Sequence, residues 1–295
     1  MTSVREIGKL KLSLNTLRVA IARNLASALK LLGILSLGSR AIQVARDAPF
    51  IGALLRGLLV FHQPFADLKS AEVCIRRYIP EGHDHPYHII ARSGFAESIR
   101  ESDYAVLYHL APIASRLRSV FDLGGSVGNL FYPYDRKLHF SSDLRWIVND
   151  LPHTRQAGLD YAHSRGETRI VFTDKFSDAS GVNLFIVAGA VHFFEDKLAT
   201  MLLRLDRLPE IVAVNRSPFS KKGDAITIHD GGAFAVPCKL HDVDTFISGM
   251  IDIGYELVAR WPVHERRIQV PLYPELNDTY WGFYFRLKAS EPSTF

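Results

Sequence analysis

Short apolar segments that alternate with helix-length segments constrain the fold of this chain more than any other feature. Between residues 119 and 215 five apolar runs occur, and most of the intervals between them are long enough for a crossover helix. This alternation predicts an α/β fold with a doubly wound parallel sheet. The predicted strands are 120–123, 145–149, 169–173, 184–188 and 211–215.

The segments on either side of this region extend the prediction. Apolar spacing predicts a helix over 103–117, with Ser102 as its N-cap and Pro112 as a point where it kinks or splits. A second helix is predicted over 242–259. Two further strands, 265–270 and 280–287, follow it. The last is aromatic and alternating, as expected for a hairpin added at a sheet edge.

Residues 1–60 form a separate basic extension. They carry nine Lys or Arg and two Asp or Glu, which is +7, so the rest of the chain carries −3 of the total +4. A chain whose main body is not basic is a poor nucleic-acid binder. The extension also contains an apolar stripe with helical spacing. Its members are Leu14, Leu17, Ile21, Leu25, Leu29, Leu32 and Leu35.

This amphipathic extension leaves three alternatives open. It packs on the main domain or on a second copy of the chain as a homodimer, it rests its cationic face on anionic lipid, or it is a disordered or partner-binding arm. No apolar run reaches the roughly 18–20 residues that a transmembrane helix needs. Cys74 and Cys238 are far apart and predict no disulfide scaffold. We expect a cytoplasmic protein, with peripheral contact to the inner membrane under the second alternative.

The stretch SVFDLGGSVG at 119–128 places a glycine-rich loop directly after the first strand. Ligands of doubly wound sheets bind beyond the carboxyl ends of the strands, and glycines let a ligand approach the backbone. The dinucleotide pattern G-x-G-x-x-G does not fit either register, which argues against a nicotinamide oxidoreductase, and no P-loop lysine follows. An ordinary tight strand–helix turn is the structural alternative.

Two acids accompany this loop. Asp122 precedes it, and Asp150 ends the second strand 22 positions after Gly128. That is about the spacing of a ribose-binding acid in such sheets. The alternative for Asp150 is a helix N-cap, and both roles are compatible.

The arrangement Asp122-x-Gly124-x-Ser126-x-Gly128 resembles motif I of class I S-adenosylmethionine-dependent methyltransferases, with serine in place of the central glycine. Further stretches resemble one bacterial family of this class, often encoded near surface-polysaccharide genes. The resemblance covers roughly residues 60–290 and leaves out the N-terminal extension. Its stretches are GHDHP at 82–86, ESDY at 101–104, FDL before the glycine loop, WIVNDLP at 146–152, AGAVHFFED at 188–196, VNRSP at 214–218 and GYELV at 254–258 with Trp261.

The resemblance implies a seven-stranded methyltransferase sheet with an antiparallel strand at its edge and S-adenosylmethionine as cofactor. It places the loop residues against the methionine and ribose, and Asp122 can favour the cofactor ammonium directly or through water. Asp150 and Leu151 would hold ribose and flank adenine, Asp174 would contact the adenine amino group or cap a turn, and Gly189 would let sulfonium and acceptor meet. The loop residues concerned are Gly124, Gly125, Ser126 and Gly128.

His192 is the candidate for proton chemistry, because it follows the fourth strand closely and histidine titrates near neutral pH. The alternative is a loop histidine packed between Val191 and Phe193. The histidine-rich segment 83–88 is interpreted as a loop that clasps cofactor or substrate, and no metal is predicted.

The sequence therefore predicts a 1–60 helical extension, a 61–118 helical lead-in that caps the cofactor or substrate, and a 119–295 methyltransferase-like domain. The predicted activity is S-adenosylmethionine-dependent O-methylation of a small molecule or an envelope glycan precursor. The alternative is a non-catalytic module of the same fold that scaffolds a membrane-proximal assembly through its basic helices.

Overall fold

One mixed sheet forms the centre of the protein. The structure is a computed structural model, and it describes residues 60–76, 84, 98–230, 234–270 and 273–288. Five parallel strands follow the spatial order β3–β2–β1–β4–β5, which confirms the predicted doubly wound sheet. The switch point lies between β1 and β4. The strands are β1 (Ser119–Leu123), β2 (Arg145–Asn149), β3 (Ile170–Thr173), β4 (Leu184–Ala188) and β5 (Ile211–Ser220).

The sheet continues beyond β5 through the C-terminal hairpin. Two strands form it, β8 (Tyr255–Ile268) and β9 (Asp278–Leu287). β9 is antiparallel both to β5 and to β8, so the seven strands have the order 3-2-1-4-5-9-8. This is the seven-stranded sheet with one antiparallel strand that the resemblance implies, although the antiparallel strand lies one place inside the edge.

Helices cover both faces of the sheet. Because side chains alternate along a strand, Val120 and Trp146 enter the core on one face while Phe121 and Ile147 enter the core on the other. Helices α2, α3 and α4 contribute to the first core, and α5 and α6 contribute to the second. The helices are α2 (Asp103–Leu110), α3 (Phe131–Leu138), α4 (Pro152–Ser164), α5 (Leu198–Leu202) and α6 (Val243–Asp252).

An additional hairpin lies between β5 and α6, and the sequence reasoning did not predict it. Its strands are β6 (Ala225–Asp230) and β7 (Ala235–Asp242), and β7 continues from the end of β5 through parallel pairs such as Phe219 with His241. Helix α1 (Leu68–Arg76) packs on this hairpin, as do Phe61 and Phe65 through single bridges. Residues 61–76 of the predicted lead-in thus cover the hairpin, whereas its second described part, from residue 98 onward, packs against the main sheet through α2.

The predicted helix over 242–259 is too long. α6 ends at Asp252 because Gly254 adopts a left-handed φ of 100°, which stops the helix. The chain then enters β8 at Tyr255, ten residues before the strand predicted at 265–270. The alternating burial along β8 explains why that segment pairs as a strand.

The predicted helix over 103–117 divides near Pro112, as expected. Its α-helical part ends at Leu110 and a 3-10 turn follows over Ala111–Arg116. Ser102 is the N-cap residue of α2, as predicted, but its hydroxyl makes no cap bond to the helix, because it donates to a Glu265 carboxylate oxygen on β8 instead.

The leucine stripe, most of the extension 1–60, and the histidine-rich segment apart from Asp84 lie outside the described residues. Within the described ranges, every helix falls short of the length and hydropathy that a bilayer crossing requires. Cys238 is a fully buried free thiol.

Candidate functional site

The glycine loop at the carboxyl end of β1 uses left-handed backbone three times. Gly124, Ser126 and Gly128 have φ values of 68°, 57° and 93°. The Gly124 N–H donates to the Asn149 carbonyl oxygen at 2.8 Å, which ties the loop to the end of β2. A side chain at Gly124 would put its Cβ 2.5 Å from the Ala190 Cβ. The loop therefore needs glycine here for both conformation and space.

Asp122 lies beneath this loop rather than in front of it. The residue is 1% exposed, and its Oδ2 accepts a hydrogen bond from the Trp146 indole nitrogen at 3.1 Å. A Cβ at Gly125 would lie 2.4 Å from the same oxygen. Oδ1 is buried and accepts no hydrogen bond from the described residues. The carboxyl group is therefore a charge enclosed directly under the loop backbone.

Burial controls the ionisation of Asp122. It raises the pKa to about 7; the Trp146 hydrogen bond lowers the pKa, the nearby Asp150 charge raises it, and the Arg216 charge lowers it. Near neutral pH this carboxyl group therefore responds to any cation placed over the loop.

Asp150 reaches the same loop from the end of β2. Its Oδ2 accepts the Ser126 N–H at 2.7 Å and its Oδ1 accepts the Leu151 N–H at 2.8 Å. The N-cap of α4 is Leu151, so the N-cap alternative for Asp150 is wrong. Leu151 itself is 43% exposed. The two acids that the sequence singled out thus meet at one loop, Asp122 below it and Asp150 beside it.

Asp174 lies farther out, after β3. It pairs with the Arg155 guanidinium of α4 at 3.3 Å, and its side chain is 65% exposed. The 3-10 turn that follows is capped by Lys175, so Asp174 does not cap it. The structure places Asp174 at the rim of the strand ends that carry Asp122 and Asp150.

Gly189 and Ala190 bring the end of β4 against the loop. Gly189 has a φ of 84°, and its N–H donates to the Asn215 carbonyl oxygen on β5 at 2.9 Å. A Cβ on Gly189 would lie 3.5 Å from the Arg216 carbonyl oxygen. The ends of β1 and β4 and the middle of β5, where its pairing register shifts, therefore approach one another closely, at the switch point where ligands bind in such sheets.

His192 lies two residues beyond Ala190, in a 3-10 turn over Val191–Phe193. The residue is 3% exposed, and its ring packs on Phe193 at 3.9 Å between centroids and on His229 of β6 at 5.8 Å. The ring therefore faces the additional hairpin, which matches the packed alternative for this residue. The base role stays a prediction.

Asp84 connects the histidine-rich segment to this region. Its carboxylate accepts the His153 N–H at 3.1 Å and contacts the His153 ring nitrogen at 2.9 Å, in the first turn of α4. An acid here also suits the positive end of the helix. Since α4 begins next to Asp150 and Leu151, Asp84 lies near these two residues, and the clasping role of the segment stays a prediction.

A buried polar network on the other side of the site was not predicted. Asp103 of α2 is 2% exposed and pairs with the Arg216 guanidinium, and it also accepts the Tyr134 hydroxyl at 3.0 Å. Asn215 donates to the Ser102 carbonyl oxygen at 3.2 Å. The sequence gives one signal for this network, which is the polar pair Asn215-Arg216 directly after the apolar run 211–214. Nothing in the sequence indicates that Asp103 is the partner of Arg216.

No family model and no curated protein matches the chain. The solved structures to which it is similar include three methyltransferases. One is the 1,6-didemethyltoxoflavin-N1-methyltransferase of Burkholderia thailandensis, solved with S-adenosylhomocysteine, at 16% identity over 77% of this chain and 92% of that chain, with a TM-score of 0.47. An O-methyltransferase family protein of the same organism has 14% identity over 70% of this chain and 58% of that chain, with a TM-score of 0.45. A SAM-dependent methyltransferase of Aquifex aeolicus has 12% identity over 76% of this chain and 100% of that chain, with a TM-score of 0.45. These values are too low to carry a function, which has to come from the geometry of the site.

Proposed function

We propose that the protein is an S-adenosylmethionine-dependent methyltransferase. The observation that supports this most is the convergence of two acids, Asp122 and Asp150, on a glycine loop at the switch point of the sheet. Left-handed backbone at three positions turns this loop over the end of β1 and exposes no bulky side chain. A packing turn alone does not require carboxylates on two of its sides.

The residues at the loop fit this cofactor. S-Adenosylmethionine supplies an activated methyl group on a positive sulfonium, and it carries an ammonium in its methionine part. The buried Asp122 charge lies one backbone layer below, where it stabilises a cation over Gly125 without touching it. Asp150 presents carboxylate oxygens to ribose hydroxyls, Leu151 offers an exposed apolar side chain to adenine, and Asp174 lies at the rim for the adenine amino group.

We also propose the acceptor side at the end of β4, with transfer to oxygen of a small molecule or a glycan precursor. Gly189 and Ala190 present little side chain there, so an acceptor can approach the methyl group in line. His192 is the proposed base for the acceptor hydroxyl, because it lies two residues beyond Ala190. Its burial against His229 means that the acceptor has to enter beside the additional hairpin.

Titration calorimetry with S-adenosylmethionine and S-adenosylhomocysteine tests the proposal. We expect Gly124→Ala to abolish binding, because its Cβ would lie 2.5 Å from the Ala190 Cβ. Gly223→Ala is the matched control: its φ is 90°, so the backbone strain is similar, but no atom lies within 4 Å of the added Cβ. Absence of binding to the wild-type chain would overturn the proposal, as would equal loss in both variants.

The predictions for residues 1–59 stay predictions, because those residues lie outside the described part of the chain. They comprise the peripheral membrane contact, the homodimer and the scaffold alternative. A methyl-donor assay on fractionated lysate separates an enzyme from a non-catalytic scaffold, since only the enzyme transfers label from the cofactor.

A further inference from the structure

Helix α4 begins beside the proposed cofactor site without a capping side chain of its own. Its N-cap is Leu151, whose apolar side chain makes no cap hydrogen bond, and Pro152 at the first helical position has no N–H. Helices favour Ser, Thr, Asp or Asn at the N-cap, because their first N–H groups have no partner within the helix. The start of α4 therefore depends on acceptors from outside the helix.

Two aspartates accept the N–H groups at this helix start. The Asp150 Oδ1 accepts the Leu151 N–H at 2.8 Å, and the Asp84 Oδ1 accepts the His153 N–H at 3.1 Å. The Asp84 Oδ2 lies 3.4 Å from the same backbone nitrogen and 2.9 Å from the His153 Nδ1. Asp84 precedes His153 by 69 positions, so it caps the helix from a distant part of the chain.

The cap contributes more to this contact than the pairing of the two side chains does. The His153 side chain is 64% exposed and the Asp84 side chain is 25% exposed, and ion pairs open to water contribute little. Removing a capping side chain, in contrast, shifts the equilibrium between an ordered and a frayed helix start about fivefold. The positive end of the helix adds to the preference for a carboxylate here.

Packing on the sheet holds the body of α4 but not its start. The buried residues of the helix are Thr154, Gly158 and Ala162. A Cβ on Gly158 would lie 2.2 Å from the Phe172 Cε1, so the helix and β3 are in close contact there. Residues 151–153, in contrast, are exposed. Loss of the Asp84 carboxylate should therefore loosen these residues and leave the rest of the helix in place.

The residues at this helix start are those proposed to contact the ribose and adenine of the cofactor. The Asp150 Oδ2 accepts the Ser126 N–H of the glycine loop at 2.7 Å, so its carboxylate joins the loop to the helix start. Leu151 lies between this carboxylate and the capped amide of His153. A shift of the chain at His153 therefore displaces the two residues that are proposed to face the adenosine part of the cofactor.

We propose that Asp84 is a positioning residue for the cofactor site, which caps α4 from a distant part of the chain and thereby keeps Asp150 and Leu151 in the arrangement that binds adenosine. This rests on the proposed function, because it assigns a further residue to the same site. Asp84 acts through the helix start and touches neither the cofactor nor the reacting atoms. The order that it provides exists before the ligand arrives, so the ligand does not have to supply it on binding.

Calorimetry on the full-length chain tests this with two probes, S-adenosylhomocysteine and 5′-methylthioadenosine, which lacks the amino-acid part. We expect Asp84→Ala to weaken both about fivefold, because the two ligands share the adenosine part. Asp84→Asn should stay within about twofold of the wild type, since asparagine caps helices about as well as aspartate. His153→Ala should also stay within about twofold, because it removes the ring and keeps the capped N–H.

Asp242→Ala is the matched control for this experiment. The Asp242 side chain caps α6 by accepting the Thr245 N–H at 2.8 Å, so the variant removes the same group from a helix that carries none of the proposed cofactor residues. It should lower the melting temperature and leave the affinity for both probes unchanged. A general loss of stability is thereby separated from an effect on the cofactor site.

Amide hydrogen exchange on the ligand-free protein gives a second readout that does not depend on affinity. The Arg155 N–H donates to the Leu151 carbonyl oxygen at 2.9 Å, which ties the helix start to the next turn. We expect Asp84→Ala to speed exchange of the Arg155 amide about fivefold and to leave exchange at Ala162, near the other end of α4, unchanged.

The inference is wrong if Asp84→Ala changes neither the affinity for S-adenosylhomocysteine nor the exchange at Arg155. It is also wrong if Asp242→Ala or His153→Ala weakens binding as much as Asp84→Ala, or if only S-adenosylhomocysteine is affected, since the effect would then lie outside the adenosine side. Each of these results leaves cofactor binding by the wild type intact and refutes only this inference. Absent binding of S-adenosylhomocysteine to the wild type refutes the proposed function, and this inference with it.

Discussion

Gly125 permits a sharp test of how the glycine loop and Asp122 depend on each other. A Cβ at this position would lie 2.4, 2.5 and 2.9 Å from Oδ2, Cγ and Oδ1 of Asp122. All three atoms belong to one side chain. Gly125 is not in the left-handed region, unlike Gly124 and Gly128, so alanine adds no backbone strain there. The overlap with one carboxyl group is therefore the effect that Gly125→Ala isolates.

The cost follows from the surroundings of that carboxyl group. Ordinary contact begins near 3.4 Å, so Asp122 has to move by about 1 Å. It is enclosed and bonded to Trp146, so the move compresses the core, at about 1–3 kcal/mol, and also weakens the hydrogen bond from the indole N–H, at about 1 kcal/mol. We expect Gly125→Ala to lower the free energy of unfolding by about 2–4 kcal/mol.

Urea denaturation of a double-mutant cycle measures this term. In an Asp122→Ala background the obstructing atoms are gone, so Gly125→Ala should cost below about 1 kcal/mol, which makes the coupling energy roughly 1–3 kcal/mol. Gly249→Ala is the control, since its Cβ would meet Ala199 at an ordinary 3.6 Å inside α6, and it should stabilise by about 0.5–1 kcal/mol. Equal costs of Gly125→Ala in both backgrounds would refute the packing of Asp122 beneath Gly125.

Three more predictions concern buried groups of the site and its neighbourhood. As the pH rises from 4 to 7, the Asp122→Asn variant should gain stability relative to the wild type by about 1.4 kcal/mol per pH unit. The reason is that the pKa of Asp122 is near 7 in the folded state, above its unfolded value, so ionisation of the wild-type carboxyl group disfavours the fold. A difference in urea midpoints that does not change with pH would contradict this. Ser126→Gly should stabilise the folded protein by about 0.5–1 kcal/mol, because glycine removes the backbone strain of a φ of 57° and this gain exceeds the entropy cost of glycine. A lower melting temperature of the variant would contradict this. Burial lowers the pKa of His241 to about 4, so the wild type should lose about 1.4 kcal/mol of unfolding free energy per pH unit as the pH falls from 6.5 towards 4. The His241→Gln variant should not show this loss. If the unfolding free energies of both proteins change with pH in parallel, the prediction is wrong.

The sequence predicted the elements that local pattern determines. Apolar runs located the five parallel strands, and the spacing between Gly128 and Asp150 placed an acid at the loop that it contacts through Ser126. These predictions succeed because a strand buried on both faces and a loop that needs glycine each leave a signal within a few residues.

Features that depend on distant partners left no such signal. Asp103 and Arg216 are separated by 113 positions, and only the folded sheet brings α2 against the middle of β5. Asp122 was expected to favour the cofactor ammonium directly or through water, but its burial under Gly125 is fixed by the path of the loop. The β6–β7 hairpin was missed because its two short strands depend on pairing with β5 and on cover from α1.

The position of Asp122 also changes how a charged cofactor would be recognised. Direct contact would need an exposed carboxylate with an ordinary pKa, whereas this one is enclosed, with Trp146 as its donor and the charges of Asp150 and Arg216 nearby. A cation over the loop favours the ionised form, so cofactor binding below pH 7 should release up to one proton from Asp122. Affinity for S-adenosylmethionine should then rise with pH towards 7 and level off above it. Calorimetry in buffers of different ionisation enthalpy measures the released proton, and Asp122→Asn is the control that should release none. A binding heat that does not depend on the buffer at pH 6 would show that this carboxyl group takes no part in holding the cofactor.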